Sequence, residues 1–297
     1  MKQIEQYKSF LELGNKSAHT IRSYVKDLYK LSNYFHLSDA SELESLTVEQ
    51  YEEFYRSLGI TDNSLKSLIR NLSAFFTWLI DRKIVSKDNT FSHVKFGKGK
   101  FPKVPKKKKV VLTAQEAELL INAGRNIQEK FMLKMMCTTA LRRDEICNIK
   151  LSDINGCTIS IKGKGGDEDD ETYLDDDLCK MLNEYLLERD TESQYLFYGT
   201  RGFDGENGRL TGTSVNNRVR ACALLSGMSI EKANVTTAHR LRAYAITHMY
   251  LKRGMPAAQA LARHENQETT KGYIVVGNEF VRELLLGENS ESVSRTS

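Results

Sequence analysis

A group of side chains near the end of the chain could act together on a phosphate ester. His239 and Arg242 are three residues apart, so on a helix they would project from the same face, and His264 and Tyr273 follow. A guanidinium, two imidazoles and a phenol lack the carboxylates that a metal site for phosphoryl transfer would use. The set instead suits attack on a phosphodiester by a side-chain oxygen, with no metal and no cofactor.

Such an attack adds negative charge to the phosphate oxygens in the transition state, and arginine is suited to neutralise it. Arginine stays charged and matches phosphate in bidentate geometry. Arg242 is one candidate, and Arg142, at the end of a predicted helix, is the other. Cationic neighbours of this kind would also favour the phenolate of Tyr273, which is the candidate nucleophile.

Proton transfer needs further groups. Lys164 occupies the tip of a predicted hairpin, from which a long side chain could give a proton to the leaving 5′ oxygen. His239 and His264 would orient the phosphate and handle the proton of the nucleophile.

The residues around these groups predict a mainly helical domain with a small antiparallel β-sheet, over residues 111–286. Thr113 and Glu116 form a capping box at the start of its first helix. The β-branched run CTISI, the glycine turn KGKGG and the run TYL predict a hairpin. Amphipathic helices are predicted on both sides of that hairpin, and residues 287–297 have no pattern and are expected to be disordered.

Residues 1–94 show only helical periodicity and predict a separate domain of about four helices. Apolar residues recur at intervals of three and four in the second of these, and Thr47 with Gln50 forms a capping box before the next. Lys66 and Arg70 lie one turn apart on a polar helix face, where they could contact DNA phosphates or simply be solvated.

A basic linker at residues 95–110 separates the two domains. The run KFGKGKFPKVPKKKK holds eight lysines, no acid and two of the three prolines of the chain. Gly and Pro disfavour regular structure and the lysines repel each other, so we expect an extended segment along a DNA backbone, with a solubilising tether as the alternative. The candidate DNA-binding residues here are Lys103, Lys106, Lys107, Lys108 and Lys109.

Composition limits the class of protein. With 297 residues, 40% hydrophobic and 28% charged, the chain is long enough for two globular domains, and it has no apolar run that could cross a bilayer and no secretory signal. The five cysteines never form CxxC and predict reduced thiols in a cytoplasmic protein, neither a disulfide framework nor a zinc site. The net charge of +4 is weak evidence for a nucleic-acid partner.

Taken in chain order, four short motifs resemble the catalytic boxes of the phage-integrase and Xer-like tyrosine site-specific recombinases. TALRRDEI resembles the first-arginine box, with Arg142 as the arginine and Glu145 as its supporting acid. IKGKGG resembles the lysine turn with Lys164, HRLRAYAIT resembles the His-x-x-Arg box, and ARHENQETTKGY resembles the box that ends in the nucleophile. Any one of these motifs is weak evidence, whereas their joint order and spacing are specific.

The chain departs from the family pattern at several positions. Ala140 and Arg263 stand where the family commonly has Gly, and Asp144 stands where it often has Ser. An acidic run, DEDDE at 167–171, follows the lysine turn, and DNA should repel it. It could face a neighbouring protomer, a basic segment or solvent, and it leaves Lys162 as the alternative for the role of Lys164.

The resemblance implies a helical, SAM-like, DNA core-binding domain and a catalytic domain that cut and rejoin double-stranded DNA through a 3′-phosphotyrosine intermediate, without metal or ATP. It also implies a homotetramer on DNA, with a monomer or dimer as the free state, and the apolar segment after Tyr273 would dock in cis or on a neighbouring protomer. The alternatives are a type IB topoisomerase and a non-catalytic architectural DNA-binding protein. Integration, excision, inversion and dimer resolution all stay open as biological tasks.

Overall fold

The computed structural model describes residues 1–91, 112–162, 169–199 and 208–274. The chain divides into two compact units, Met1–Lys107 and Lys108–Ser297. The predicted linker at 95–110 and the predicted tail at 287–297 both lie outside the described residues.

The first unit is entirely helical in its described part. Its core contains one apolar face of every helix, and Trp78 is buried there. The predicted capping box at Thr47 is present, because the Thr47 hydroxyl accepts from the Gln50 backbone N–H and the Gln50 side chain accepts from the Thr47 N–H. The helices are α1 (Lys2–Leu13), α2 (Ala18–Tyr34), a 3-10 helix (Ala40–Ser45), α3 (Val48–Ser57) and α4 (Asp62–Asp81).

The second unit combines helices with a small sheet, and the predicted fold class is confirmed. One helix, Ile127–Thr139, is buried along most of its length and packs against three other helices, Ala114–Asn122, Asp176–Glu188 and Ala238–Ala262. The predicted capping box of Thr113 and Glu116 begins the first helix of the unit. The helices are α5 (Ala114–Asn122), α6 (Ile127–Thr139), α7 (Arg143–Asn148), a 3-10 helix (Leu151–Asp153), α8 (Asp176–Glu188), α9 (Gly212–Leu225), α10 (Ile230–Val235), α11 (Ala238–Ala262) and α12 (Gln267–Lys271).

The sheet has the antiparallel order β1 (Ile154–Asn155), β2 (Thr158–Lys162) and β3 (Asp169–Tyr173) in the described residues. β2 and β3 form the predicted hairpin, in which Ile161 pairs with Asp170 and Lys162 pairs with Asp169. Ile159 and Ile161 point into the core, so the alternation of the sequence decides which face of β2 is buried. The turn that carries Lys164 lies outside the described residues.

A disulfide bond joins Cys157, at the turn between β1 and β2, to Cys179 of α8, with 5.4 Å between their Cα atoms. The expectation that every cysteine is a reduced thiol is therefore wrong for this pair. The two residues are 22 positions apart in the sequence, and only the packing of the β1–β2 turn against α8 brings them together. The other three cysteines, Cys137, Cys147 and Cys222, are free and buried.

Helix α11 is interrupted near its end. Gly254 has φ 80° and ψ −177°, a conformation that is essentially restricted to glycine, and Pro256 follows it. Proline has no backbone N–H and is suited to the first turn of a helix, so a new helical segment begins there. The break separates the segment that carries His239 and Arg242 from the segment that leads to His264. Within the described parts of the chain, no helix is both long and apolar enough to span a membrane.

Candidate active site

Residues from three separate helix ends of the second unit line one cavity of about 260 Å³. Arg142 directly precedes α7, His239 and Arg242 lie in the first turns of α11, and Tyr273 follows α12. All four line the cavity, together with Arg143, Asp144, Asn216 and Thr237. Residues that the sequence analysis selected from distant motifs thus lie together.

Arg242 is the most buried of these groups, with 1% of its surface exposed. Its Nη1 donates to the carbonyl of Ala140, and its Nη2 donates to the carbonyl of Ala262 at 2.6 Å. Burial, and then the neighbouring charge of Arg142, lower the pKa of Arg242 to about 10, which leaves it charged at neutral pH. The guanidinium is therefore held rigidly by main-chain carbonyls while its charge stays available.

The backbone of Ala140 explains how its carbonyl contacts Arg242. Ala140 ends α6 in the left-handed conformation, with φ 52° and ψ 26°. This turn costs a non-glycine residue roughly 1 kcal/mol, which accounts physically for the glycine that the family commonly has at this position.

His264 lies between Arg242 and Thr270 and contacts both through its ring nitrogens. Its Nε2 lies 3.0 Å from Nη2 of Arg242, and its Nδ1 lies 3.0 Å from Oγ1 of Thr270. A guanidinium only donates, so Nε2 accepts and the proton of the neutral ring is on Nδ1. Burial, and then the cations Arg242 and Arg142, lower the pKa of His264 to about 4, and the ring is neutral at neutral pH.

The ring of Tyr273 lies among three of the predicted site residues. Its centroid is 5.1 Å from that of His239, 5.2 Å from that of His264 and 5.5 Å from Cζ of Arg242. The main chain is held by Thr247, whose hydroxyl donates to the Tyr273 carbonyl at 3.3 Å. The Tyr273 ring is thus surrounded by two imidazoles and a guanidinium.

Arg142 is held by the carboxylate of Glu145, as the sequence analysis proposed. Glu145 Oε2 accepts from the Arg142 backbone N–H at 2.6 Å, and Oε1 accepts from Arg142 Nη1 at 2.7 Å. The Arg142 side chain is 41% exposed, so it can reach a ligand in the cavity while Glu145 fixes its direction.

Arg263 is the residue whose contribution sequence reasoning missed. Its Nη2 donates to Oε2 of Glu145 at 2.5 Å, and its Nε lies 3.7 Å from a carboxylate oxygen of Asp170. The signal was present in the sequence, since Arg263 and the acidic run were both recognised as departures from the family pattern. Nothing in the sequence indicated that these two departures contact each other.

Lys164, the predicted lysine of the site, lies outside the described residues. Lys162, the alternative, ends β2 and lines a second cavity of about 440 Å³, together with Arg142 and Glu145. The hairpin is therefore next to the arginine that would hold the phosphate. Among the described residues, no group of three or more His, Cys, Asp or Glu could hold a metal ion.

The candidate DNA-binding residues of the first unit are only partly described. Lys66 and Arg70 are both exposed on α4, and the guanidinium of Arg70 donates to the Ser67 hydroxyl at 3.1 Å. The linker lysines, Lys103, Lys106, Lys107, Lys108 and Lys109, lie outside the described residues.

Comparisons with known proteins give the family context. The family model described as "Phage integrase family" matches residues 110–279, and the model of the N-terminal SAM-like domain of phage integrases matches residues 4–83. A similar curated protein is the tyrosine recombinase XerA of Pyrococcus horikoshii, which is 29% identical over 289 residues and covers 95% of this chain and 92% of its own.

Two solved structures share the fold. The XerH site-specific recombinase bound to a palindromic difH substrate matches with a TM-score of 0.70 and 21% identity, over 98% of this chain and 84% of that one. A lambda integrase tetramer bound to a Holliday junction also has a TM-score of 0.70, with 17% identity, over 91% of this chain and 76% of that one.

Proposed function

The chain belongs to the phage integrase family, and from that premise we propose that it is a site-specific recombinase that cuts and rejoins DNA through a 3′-phosphotyrosine intermediate. The observation that carries the proposal is the cavity shared by Arg142, His239, Arg242 and Tyr273. These side chains supply a nucleophile, two permanent positive charges and an imidazole, which together are what a metal-independent attack on a phosphodiester requires.

In this reaction the oxygen of Tyr273 attacks the phosphorus of the scissile phosphate. A bond from the tyrosine oxygen to phosphorus forms, the bond from phosphorus to the 5′ oxygen breaks, and the 5′ oxygen leaves as a hydroxyl after taking a proton. Arg142 and Arg242 neutralise the two unbridged oxygens, whose charge grows in the transition state. Rejoining is the reverse attack by a 5′ hydroxyl, so the bond energy is conserved in the tyrosyl ester.

The imidazoles and a lysine manage the protons. His264 donates from Nδ1 to Thr270 and accepts from Arg242, an arrangement that fixes both side chains next to the Tyr273 ring. His239, whose ring centroid lies 5.1 Å from that of Tyr273, takes up the phenol proton. Lys164 gives a proton to the leaving oxygen, with Lys162 as the alternative donor.

The partners follow from the same proposal. The helical unit at 1–94, with Lys66 and Arg70, and the linker at 95–110 contact the DNA backbone, while the unit at 111–286 performs the chemistry. Lambda integrase is tetrameric on a Holliday junction, and we extend this assembly to the present chain, with recombination taking place in the cytoplasm.

Covalent capture tests the function. The protein is incubated with a library of duplexes of randomised sequence that carry a nick beside the position to be cleaved, so that the released fragment diffuses away and the tyrosyl ester accumulates. We expect wild-type protein to form an adduct and Tyr273→Phe to form none, because the variant lacks the attacking oxygen. The matched control is Tyr173→Phe, which alters a tyrosine that is 69% exposed and should leave the adduct unchanged.

Mass spectrometry of the digested adduct should locate the nucleotide on Tyr273. Absence of any adduct with the wild-type protein would reject the enzymatic function and leave the architectural alternative. Relaxation of a supercoiled plasmid without recombination between two captured sites would identify a topoisomerase instead. The complete set of Arg, His and Tyr side chains in the site favours the enzyme over the architectural protein.

A further inference from the structure

Arg263 connects parts of the second unit that are far apart in the sequence. It follows α11 in the left-handed conformation, with φ 50° and ψ 54°, and only 9% of its side chain is exposed. Its guanidinium contacts Glu145 of α7 on one side and Asp170 of β3 on the other. A buried guanidinium between two carboxylates of different elements restrains both of them.

The contact with Glu145 extends to Arg142. The carboxylate of Glu145 accepts three hydrogen bonds. They come from the Arg142 backbone N–H at 2.6 Å, from Arg142 Nη1 at 2.7 Å and from Arg263 Nη2 at 2.5 Å. In addition, Arg142 Nη2 lies 3.5 Å from the carbonyl oxygen of Arg263. Arg263 therefore restrains the phosphate-facing arginine twice, once through the shared carboxylate and once through its own main chain.

The contact with Asp170 gives the acidic run a partner inside the protein. Asp170 pairs with Ile161 in the register of the hairpin, and its side chain is 56% exposed. The Nε of Arg263 lies 3.7 Å from it, which is an ion pair without a direct hydrogen bond. One member of the acidic run thus has an internal cation, so it does not require a neighbouring protomer to balance its charge.

We propose that Arg263 is a positioning residue for the cleavage reaction, which sets the direction of Arg142 through Glu145 and fixes strand β3 through Asp170. The inference rests on the proposed function. Arg263 does not itself hold the phosphate: its guanidinium is directed to the two carboxylates, and the cavity that contains Tyr273 is lined by Arg142 and Arg242.

The charge of Arg263 also reaches the imidazole next to it. The groups that face His264 are Arg242, Arg142, Arg263 and Glu145, in addition to the Tyr273 ring. Burial and the three arginines lower the pKa of His264, and Glu145 raises it. Loss of the Arg263 charge should therefore raise the pKa of His264, which a residue with a purely steric role would not do.

The test compares Arg263→Gln, which removes the charge, with Arg263→Lys, which keeps it. The control is Arg253→Gln, at an exposed arginine of α11. The probe is a nicked duplex recovered by covalent capture, and the rate of adduct formation is measured at saturating protein, separately from duplex affinity. We expect Arg263→Gln to slow attachment by about 10- to 100-fold, the effect of a small misplacement of a phosphate-binding group, while affinity changes by less than about threefold.

Arg263→Lys should lie between Arg263→Gln and the wild type, and Arg253→Gln should match the wild type. The pKa of the His264 ring in the free proteins is measured by NMR titration. It is about 4 in the wild type, should be higher in Arg263→Gln and should be unchanged in Arg263→Lys. Asp170→Asn should slow attachment by about two- to fivefold and should have no further effect when combined with Arg263→Gln.

The following results would overturn the inference. If Arg263→Gln reacts within about twofold of the wild type, Arg263 does not position Arg142 for cleavage. If the variant loses only affinity for the duplex, Arg263 is a simple DNA contact. Full additivity of the Arg263 and Asp170 substitutions would remove the connection to β3. If Arg263→Gln fails to fold, Asp170→Asn alone decides, since an unchanged rate counts against the inference. A wild-type protein that forms no adduct would instead reject the proposed function, and this inference with it.

Discussion

At the scale of single residues, Arg142 and Arg242 carry the same charge in different surroundings. Arg242 is buried and gives its hydrogen bonds to two carbonyls and to His264, whereas the side chain of Arg142 is 41% exposed and is paired with Glu145. Both are proposed to hold the phosphate. Arg242 has a structural role in addition, because it satisfies the main-chain carbonyls of Ala140 and Ala262 in the protein interior.

Replacement by lysine should therefore affect stability differently at the two arginines while slowing cleavage at both. Arg242→Lys leaves at least one buried carbonyl unpaired and should lower the free energy of unfolding by about 2–4 kcal/mol. Arg142→Lys should lower it by less than about 1 kcal/mol, because its ion pair is partly solvated. Both should slow adduct formation by about 100-fold or more, since lysine cannot bind phosphate in the bidentate manner.

Urea unfolding and the covalent capture assay measure the two effects. Equal losses of stability would show that the burial of Arg242 has no structural consequence. Wild-type rates in either lysine variant would remove that arginine from the proposed mechanism.

The depressed pKa of His264 makes stability depend on pH. The pKa is about 4 in the folded protein, below the ordinary value of 6.5, so between these values the unfolded chain binds more protons than the folded one. Stability is therefore complete above the unfolded pKa and decreases as the pH falls toward 4. After a discount for partial exposure, we expect a loss of about 1–2 kcal/mol across this window.

Unfolding by urea at several pH values between about 7 and 4 checks this expectation. His264→Gln cannot titrate, so the part of the slope that belongs to this residue should be absent in that variant. An identical pH dependence in both proteins would show that His264 is not the source.

At the scale of elements, the sequence predicts structure best where the determining contacts are local. The capping boxes at Thr47 and Thr113 join residues three apart, and both are present. The alternation in β2 similarly determines its buried face. The Arg and Tyr motifs could be assembled into one site because each has its own local pattern and the order of the motifs is specific.

The sequence pattern did not predict contacts between segments that are far apart in the chain. The pair of Arg263 and Asp170 joins residues 93 positions apart, and neither residue has a local motif. The left-handed turns at Ala140 and Arg263 were missed because the sequence places non-glycine residues there, and tertiary contacts of their carbonyls and side chains offset the backbone strain. The break at Gly254 was missed because the apolar pattern continues on both sides of it.

The disulfide between the β1–β2 turn and α8 gives a prediction at this scale. Without reductant, the denatured protein should expose three reactive thiols, and after reduction it should expose five. Reduction should also lower stability by about 3 kcal/mol, because the bond closes a loop of 22 residues in the unfolded chain.

A thiol-specific chromophore counts these groups directly. Cys157→Ser combined with Cys179→Ser is the control, and it should expose three thiols in both conditions. A count of five thiols in unreduced wild-type protein would contradict the disulfide bond between Cys157 and Cys179.

At the scale of the whole molecule, the distribution of charge matters more than its sum. The net charge is only +4, yet the segment 95–109 contains eight lysines and no acid. The acidic residues concentrate elsewhere, and at least one of them, Asp170, is paired inside the second unit. A nearly neutral chain can therefore still bind DNA strongly, through a few local groups that each displace counterions from phosphate.

The salt dependence of DNA binding tests the contribution of the first unit. If Lys66 and Arg70 each contact a phosphate, replacing both with Gln should reduce the slope of log affinity against log salt by about 2, because each contact releases roughly 0.9 counterion. Lys16→Gln, at another exposed lysine of the same unit, is the control and should leave the slope unchanged. Fluorescence anisotropy with a captured duplex at several salt concentrations gives the slope. A double variant with the wild-type slope would mean that Lys66 and Arg70 face solvent in the complex, and that phosphate binding by this chain depends on other residues.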